Sequence, residues 1–167
     1  MLNRRFVMMG ALGTLMAACA KAVPNKFKRY DGPPVTRLQV FKGKRKLQVL
    51  SGSRLLKEYD IEMGFAPEGH KQVERDGKTP EGAYLIDRRN GNSRYHLSLG
   101  ISYPDSQDIA RAAAMGMRPG GDIFIHGTPR EYIGKTDWTW GCIAIANDEI
   151  EDLYAMVKDG TPIYIYR

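Results

Sequence analysis

The stretch Gly120 to Ala146 reads G-G-D-I-F-I-H-G-T-P-R-E-Y-I-G-K-T-D-W-T-W-G-C-I-A-I-A. A strand-like run, Asp122 to His126, ends in a histidine and leads into a polar loop. A second apolar run, Cys142 to Ile145, opens with a cysteine sixteen positions after that histidine. Glycines adjoin both residues, at Gly127 and Gly141. A thiol becomes a strong nucleophile only as thiolate, and a nearby imidazole is the usual device for taking its proton. A glycine before the cysteine lets a substrate carbonyl come close to backbone N–H groups, as an acyl-transfer site requires. The same residue types also fit a hydrogen-bonded histidine and a small buried cysteine on neighbouring strands.

The cysteine count tilts this balance. The chain has two cysteines, Cys19 and Cys142, and Cys19 lies in a segment built like an export signal. Arg4 and Arg5 precede an uncharged apolar run from Phe6 to Ala18, which is too short for a comfortable membrane span. The run ends in L-M-A-A-C, which resembles a bacterial lipoprotein cleavage box with Met16 as its less usual member. The expectation is a signal peptide over 1–18, lipidation of Cys19 and a tether over 19–34. Cys142 is then a lone thiol in an oxidising compartment, a liability unless its reactivity is used. The N-R-R-F-V-M segment fits a twin-arginine signal and an ordinary secretory one equally. Ala20 after the cysteine, where an aspartate marks inner-membrane retention, points to a periplasmic protein anchored to the outer membrane.

Residues 35–167 are one domain's worth of chain. The formal charge of +6 becomes +4 without Arg4 and Arg5, 23 basic residues against 19 acidic. The basic clusters, Lys21 to Arg29 and Lys42 to Lys46, read as a solvated tether and a solvated hairpin, or as a loose attraction to an anionic wall polymer or lipid surface. Export disfavours nucleic acid as a partner, and a monomer is expected. Alternation places strands at Leu38 and Val40, at Leu47 and Val49, and through Tyr59, Ile61 and Met63. Gly64 to Gly82 is a long, charged, glycine-rich loop of the functional kind, with His70 exposed on it. Strands follow at Ala83 to Asp87 and Arg94 to Tyr103. His96 on the latter has either a structural partner or a place in a cleft wall. Asp105 caps a helix through Met115, and Asn147 caps another over Asp148 to Lys158, whose Ile150, Leu153, Tyr154 and Val157 form a core face. Pro162 to Tyr166 is a last strand. The class is mainly β, a sandwich or small barrel with two short helices.

I-H-G-T-P followed by D-W-T-W-G-C-I-A resembles the catalytic segment of the L,D-transpeptidase catalytic-domain family of bacterial cell-wall enzymes, and T-P-E-G-A-Y and Y-H-L-S-L with S-Y-P extend the likeness. The resemblance implies a β-rich sandwich or barrel, no cofactor, and peptidoglycan stem peptides as substrates. It implies Cys142 as nucleophile, His126 as its base and the Gly127 carbonyl as the group orienting the imidazole. Thr139, Trp140 and Gly141 then border the substrate, with the N–H groups of Trp140, Gly141 and Cys142 as oxyanion donors. No metal is implied, since His70, His96 and His126 make no ligand motif. Asp137 reads as a loop residue. Two departures bear on the substrate. Many members carry a histidine or lysine before G-C and an arginine two positions after the cysteine, where this chain has Trp140 and Ala144. Three functions stay open: acyl transfer to an amine, hydrolysis of a peptidoglycan amide, and a catalytically silent wall-binding module.

Overall fold

The computed structural model describes residues 25–167, so the expected signal peptide and Cys19 lie outside the described residues. Eight strands form one sheet: β1 (Arg37–Phe41), β2 (Lys46–Ser51), β3 (Arg54–Asp60), β4 (Gly82–Asn90), β5 (Ser98–Ile101), β6 (Phe124–His126), β7 (Ile143–Ala144) and β8 (Pro162–Tyr166). Two helices accompany them, α1 (Ser106–Ala114) and α2 (Asn147–Met156). The strand order is β3-β2-β1-β8-β4-β5-β6-β7, antiparallel except for the parallel pairs β1–β8 and β6–β7. Just beyond β3, Glu62 pairs antiparallel with Ala144 of β7, its N–H donating at 2.9 Å and its carbonyl accepting at 2.8 Å. The two edges of the sheet thereby meet, and the expected sandwich or barrel is a curled, nearly closed sheet.

The closure depends on alternation. Leu38, Val40, Leu47, Val49, Ile86 and Ile163 point inward from β1, β2, β4 and β8 and are fully buried. Ile150 and Leu153 press from α2 onto the same core, each contributing about 1.5–3 kcal/mol by leaving water. The first helix starts where expected: Asp105 accepts the N–H groups of Gln107 and Asp108, and Asp108 returns the bond to Asp105 N–H. The second is capped differently. Its cap is Ala146, whose N–H donates to Glu149 Oε2 at 3.0 Å, and the helix ends at Met156 rather than Lys158.

Other boundaries moved for reasons the residues show. Regular pairing of β3 stops at Asp60, and Ile61 and Met63 are buried on the irregular segment that closes the sheet. The fourth strand runs on to Asn90, and the fifth begins only at Ser98, because His96 adopts φ +71 and turns the chain there. The supposed solvated hairpin at Lys42 to Lys46 has one interior member, Lys42, while Gly43 and Lys44 are exposed. Lys42 is 4% exposed and donates to Gly69 O, Thr79 O and Glu81 Oε1 at 2.6, 3.0 and 2.9 Å. Arg45 forms a two-pronged pair with Asp137. Of the segment expected as a tether, residues 25–34 lie against the domain: Lys26 Nζ donates to His96 O at 2.9 Å, Lys28 to Asp152 at 2.7 Å, and Phe27 meets the Tyr154 ring.

Candidate active site

The parallel pairing of β6 with β7 sets Ile125 beside Ile143 and His126 beside Ala144. Alternation along each strand turns Ile125 and Ile143 into the core and leaves Phe124, His126 and Cys142 on the opposite face. Cys142 is then level with Phe124, and His126 lies two residues further along the adjoining strand. The two residues that the sequence pairs by chemistry thus stand on neighbouring strands.

His126 is 3% exposed, and its Nδ1 lies 2.8 Å from Gly127 O. A carbonyl only accepts, so Nδ1 carries the proton and Nε2 keeps its lone pair. Burial holds the His126 pKa below the ordinary 6.5, partly offset by the bond to Gly127. Burial likewise pushes the Cys142 thiol above its ordinary value, and the thiol donates to Asp122 O at 3.5 Å. Both shifts favour neutral partners at rest, a thiol beside a free base, over a standing thiolate–imidazolium pair.

The flanking glycines are required by space. Gly141 sits at φ +124, where a Cβ would lie 2.5 Å from Lys78 O. At Gly127 a Cβ would collide with Asn147 Oδ1 and lie 2.9 Å from Tyr95 O. Thr139, 4% exposed, locks this turn: its backbone exchanges bonds with Met63 O and Phe65 N–H, its hydroxyl donates to Cys142 O at 2.7 Å, and it accepts Gly141 N–H at 3.1 Å. Among the three N–H groups expected as oxyanion donors, that of Gly141 is therefore engaged by Thr139. Trp140 is 65% exposed and meets Phe65 edge-on at 4.8 Å. Ala144 is buried at 1%, with its backbone paired to Glu62.

Two clefts lie near β6 and β7, neither lined by His126 or Cys142 themselves. One, of about 550 Å³, is lined by Glu74, Arg88, Tyr103, Arg118 and Asp122, the last supplying the carbonyl at the thiol. The other, of about 510 Å³, includes Glu62, Thr128, Tyr132, Ala144 and Glu149. Other residues settle elsewhere. His70 is half-buried, not exposed: its Nε2 bonds Asp108 at 3.0 Å while Nδ1 accepts Glu81 N–H at 2.9 Å. His96 has a structural partner, Glu151 at 2.8 Å. Asp137 makes no hydrogen bond to His126 or Cys142 and serves as the counter-charge of Arg45. Among the described residues no cluster of three His, Cys, Asp or Glu side chains is placed to hold a metal. Sequence reasoning passed over Tyr95, whose ring stacks on His126 at 4.5 Å; nothing in an alternating pattern marks a stacking partner across a bend.

The comparisons with known proteins follow this geometry. Residues 36–165 match the family model described as the L,D-transpeptidase catalytic domain. The chain is 31% identical over 132 residues to the candidate L,D-transpeptidase YafK of Escherichia coli K12, covering 75% of this chain and 48% of that protein. Its structure resembles that of the helical cell shape determining protein Pgp2 from Campylobacter jejuni, with a TM-score of 0.64 and 27% identity over 81% of this chain and 49% of the other. Bdellovibrio bacteriovorus Bd1075 is similar at a TM-score of 0.58 and 27% identity, over 80% of this chain and 48% of the other. The chain spans about half the length of each of these relatives. With a match across nearly all of the described domain and the histidine–cysteine elements in register, the chain belongs to the L,D-transpeptidase catalytic-domain family.

Proposed function

We propose that this protein is a peptidoglycan L,D-transpeptidase that cuts and rejoins stem peptides through a Cys142 thioester. The observation that carries the reading is the imidazole of His126, held by Gly127 O with Nε2 left basic, on the strand beside Cys142. In this scheme Nε2 takes the thiol proton as Sγ attacks the carbonyl of the third, diamino-acid residue of a stem. The C–N bond to D-alanine breaks, and the imidazolium returns the proton to the departing amine. An acceptor amine then attacks the thioester and gives its proton to Nε2, and the thiol is restored.

Transfer needs donor and acceptor on either side of one acyl carbon, and the cleft bordered by Asp122, whose carbonyl meets the thiol, supplies one such approach. The buried Ala144 offers no cation where many relatives have an arginine, so the donor is held by other groups. The relatives named for cell shape and for transpeptidation support a wall-remodelling role. The L-M-A-A-C motif supports a periplasmic enzyme held at the outer membrane through Cys19.

The test is mass spectrometry of purified muropeptides incubated with the protein. Loss of D-alanine with appearance of cross-linked or exchanged products is expected. Tripeptide alone would make the protein a hydrolase, and no change in any muropeptide would favour a silent wall-binding module.

A further inference from the structure

Three aromatic side chains line up at the catalytic base. Tyr95 stacks on His126 at 4.5 Å and 27°, Trp138 leans on the same imidazole at 5.7 Å, and Tyr132 stacks on Trp138 at 4.1 Å and 15°. Tyr95 also comes within 6.1 Å of Trp138, so the imidazole has an aromatic neighbour on more than one side. Tyr95 supports His126 through its backbone as well, because its carbonyl accepts Gly127 N–H at 3.0 Å. Gly127 in turn supplies the carbonyl that fixes Nδ1. One residue thus braces both the ring and the peptide that orients it.

That residue is aimed by an unusual piece of backbone. His96 adopts φ +71, a left-handed conformation uncommon for a non-glycine residue, which persists where surrounding bonds hold it. Two such bonds are present: Glu151 holds the His96 ring at 2.8 Å, and Lys26 from the N-terminal segment holds its carbonyl at 2.9 Å. A plain strand through Tyr95 and His96 would have needed none of this.

We propose that Tyr95 is a positioning residue for His126: aimed by the bend at His96, its ring covers the imidazole against Trp138 and keeps Nδ1 on the Gly127 carbonyl, so that Nε2 is the atom that moves protons. This rests on the acyl-transfer reading above. Tyr95 is 41% exposed, so it is a cover and not core, and its removal opens the imidazole to water without emptying the interior. The charged groups around this turn, Lys26 and Glu151 on His96 and Lys135 over Tyr132, are engaged with those residues, and Tyr95 is the titratable ring stacked on the imidazole.

The test combines the pH dependence of Cys142 acylation by a carbapenem with NMR titration of the His126 ring in the full chain. Tyr95→Ala should raise the His126 titration toward the ordinary 6.5, since exposure relieves the burial that lowers it. The neutral base is then lost at higher pH, so the rate deficit at about pH 5.5 should be several-fold larger than at about pH 8. Tyr95→Phe keeps the ring and should restore both readouts. In the unsubstituted protein the imidazole protons should resonate upfield, a signature of stacking that needs no variant. An unmoved titration with an equal rate loss at every pH, or the absence of the upfield shift, overturns the proposal. If His126 responds as expected while muropeptides stay untouched, the functional reading fails and the positioning role stands.

Discussion

Two stretches meet at the thiol, Gly64 to Gly82 and Gly120 to Ala146, and they are held by opposite means. The second is anchored by apolar residues: Ile123, Ile125, Ile143 and Ile145 are buried, and the polar residues between them face the site. The first has little apolar content and is built on charge. Lys42 reaches in from the β1–β2 turn to bind Gly69 O, Thr79 O and Glu81. Lys71, 3% exposed, pairs with Asp76 at 2.9 Å, and Asp76 accepts the N–H groups of Gln72, Val73 and Lys78. These bonds set Lys78 O against Gly141 and Glu74 N–H on Arg118 O at 2.8 Å. The proposed chemistry belongs to the apolar stretch, and the loop lies against it.

The largest effect should come from Cys142→Ala. It removes the nucleophile and little volume from a half-buried position, so turnover should fall by on the order of 10⁶-fold with the melting temperature nearly unchanged. Muropeptide turnover at a substantial fraction of the normal rate would sink the thioester mechanism. If unfolding were to accompany the loss, the two stretches would be coupled far more tightly than their separate anchoring implies.

Lys42→Met probes the other stretch. It strands two carbonyls and a carboxylate in a site with little water, which should cost about 2–3 kcal/mol in urea unfolding. Lys46→Met four residues on, whose partner Asp60 is 85% exposed, should change nothing measurable. Because the loop only lies against the catalytic stretch, Lys42→Met should slow acylation far less than Cys142→Ala. Equal stability of the two methionine variants would mean that the loop is not held by its buried lysine.

This contrast also explains what was legible in the sequence. Alternation of Leu38, Val40, Leu47 and Val49 marks strands because each inward residue is apolar. The histidine–glycine and glycine–cysteine elements mark the site because few other chemistries need them adjacent. A buried lysine has no such signature. K-G-K-R reads as a solvated turn, since the carbonyls that receive Lys42 lie 27 and 37 residues away. The half-burial of His70 was hidden for the same reason, its partner Asp108 being 38 residues distant on α1. The bend at His96 was hidden because a positive φ is uncommon even for histidine, and the bonds that hold it come from Lys26 and Glu151, far off in sequence.

The smallest effect, and the one that bears on product identity, concerns the seam between the two stretches. Trp138 and Trp140 flank Thr139, whose backbone pairs on both sides with Met63 and Phe65. Trp138 joins the rings around His126, and its buried indole N–H has no partner among the described residues. Trp140 instead stands exposed against Phe65 and borders a cleft with Glu74 and Arg75 of the loop. It therefore bridges the catalytic stretch and the charged loop without filling the core. An acyl-thioester meets whichever nucleophile the site admits, and an exposed indole beside it excludes water from one approach. Trp140→Ser should leave thioester formation with a carbapenem within about twofold, because neither Cys142 nor His126 contacts depend on the indole. It should raise the ratio of tripeptide to cross-linked product by about threefold, a barrier difference of about 0.7 kcal/mol. Equal loss of acylation and of both products would show that Trp140 supports the nucleophile's turn, and the seam would then be part of the catalytic stretch rather than a wall shared with the loop.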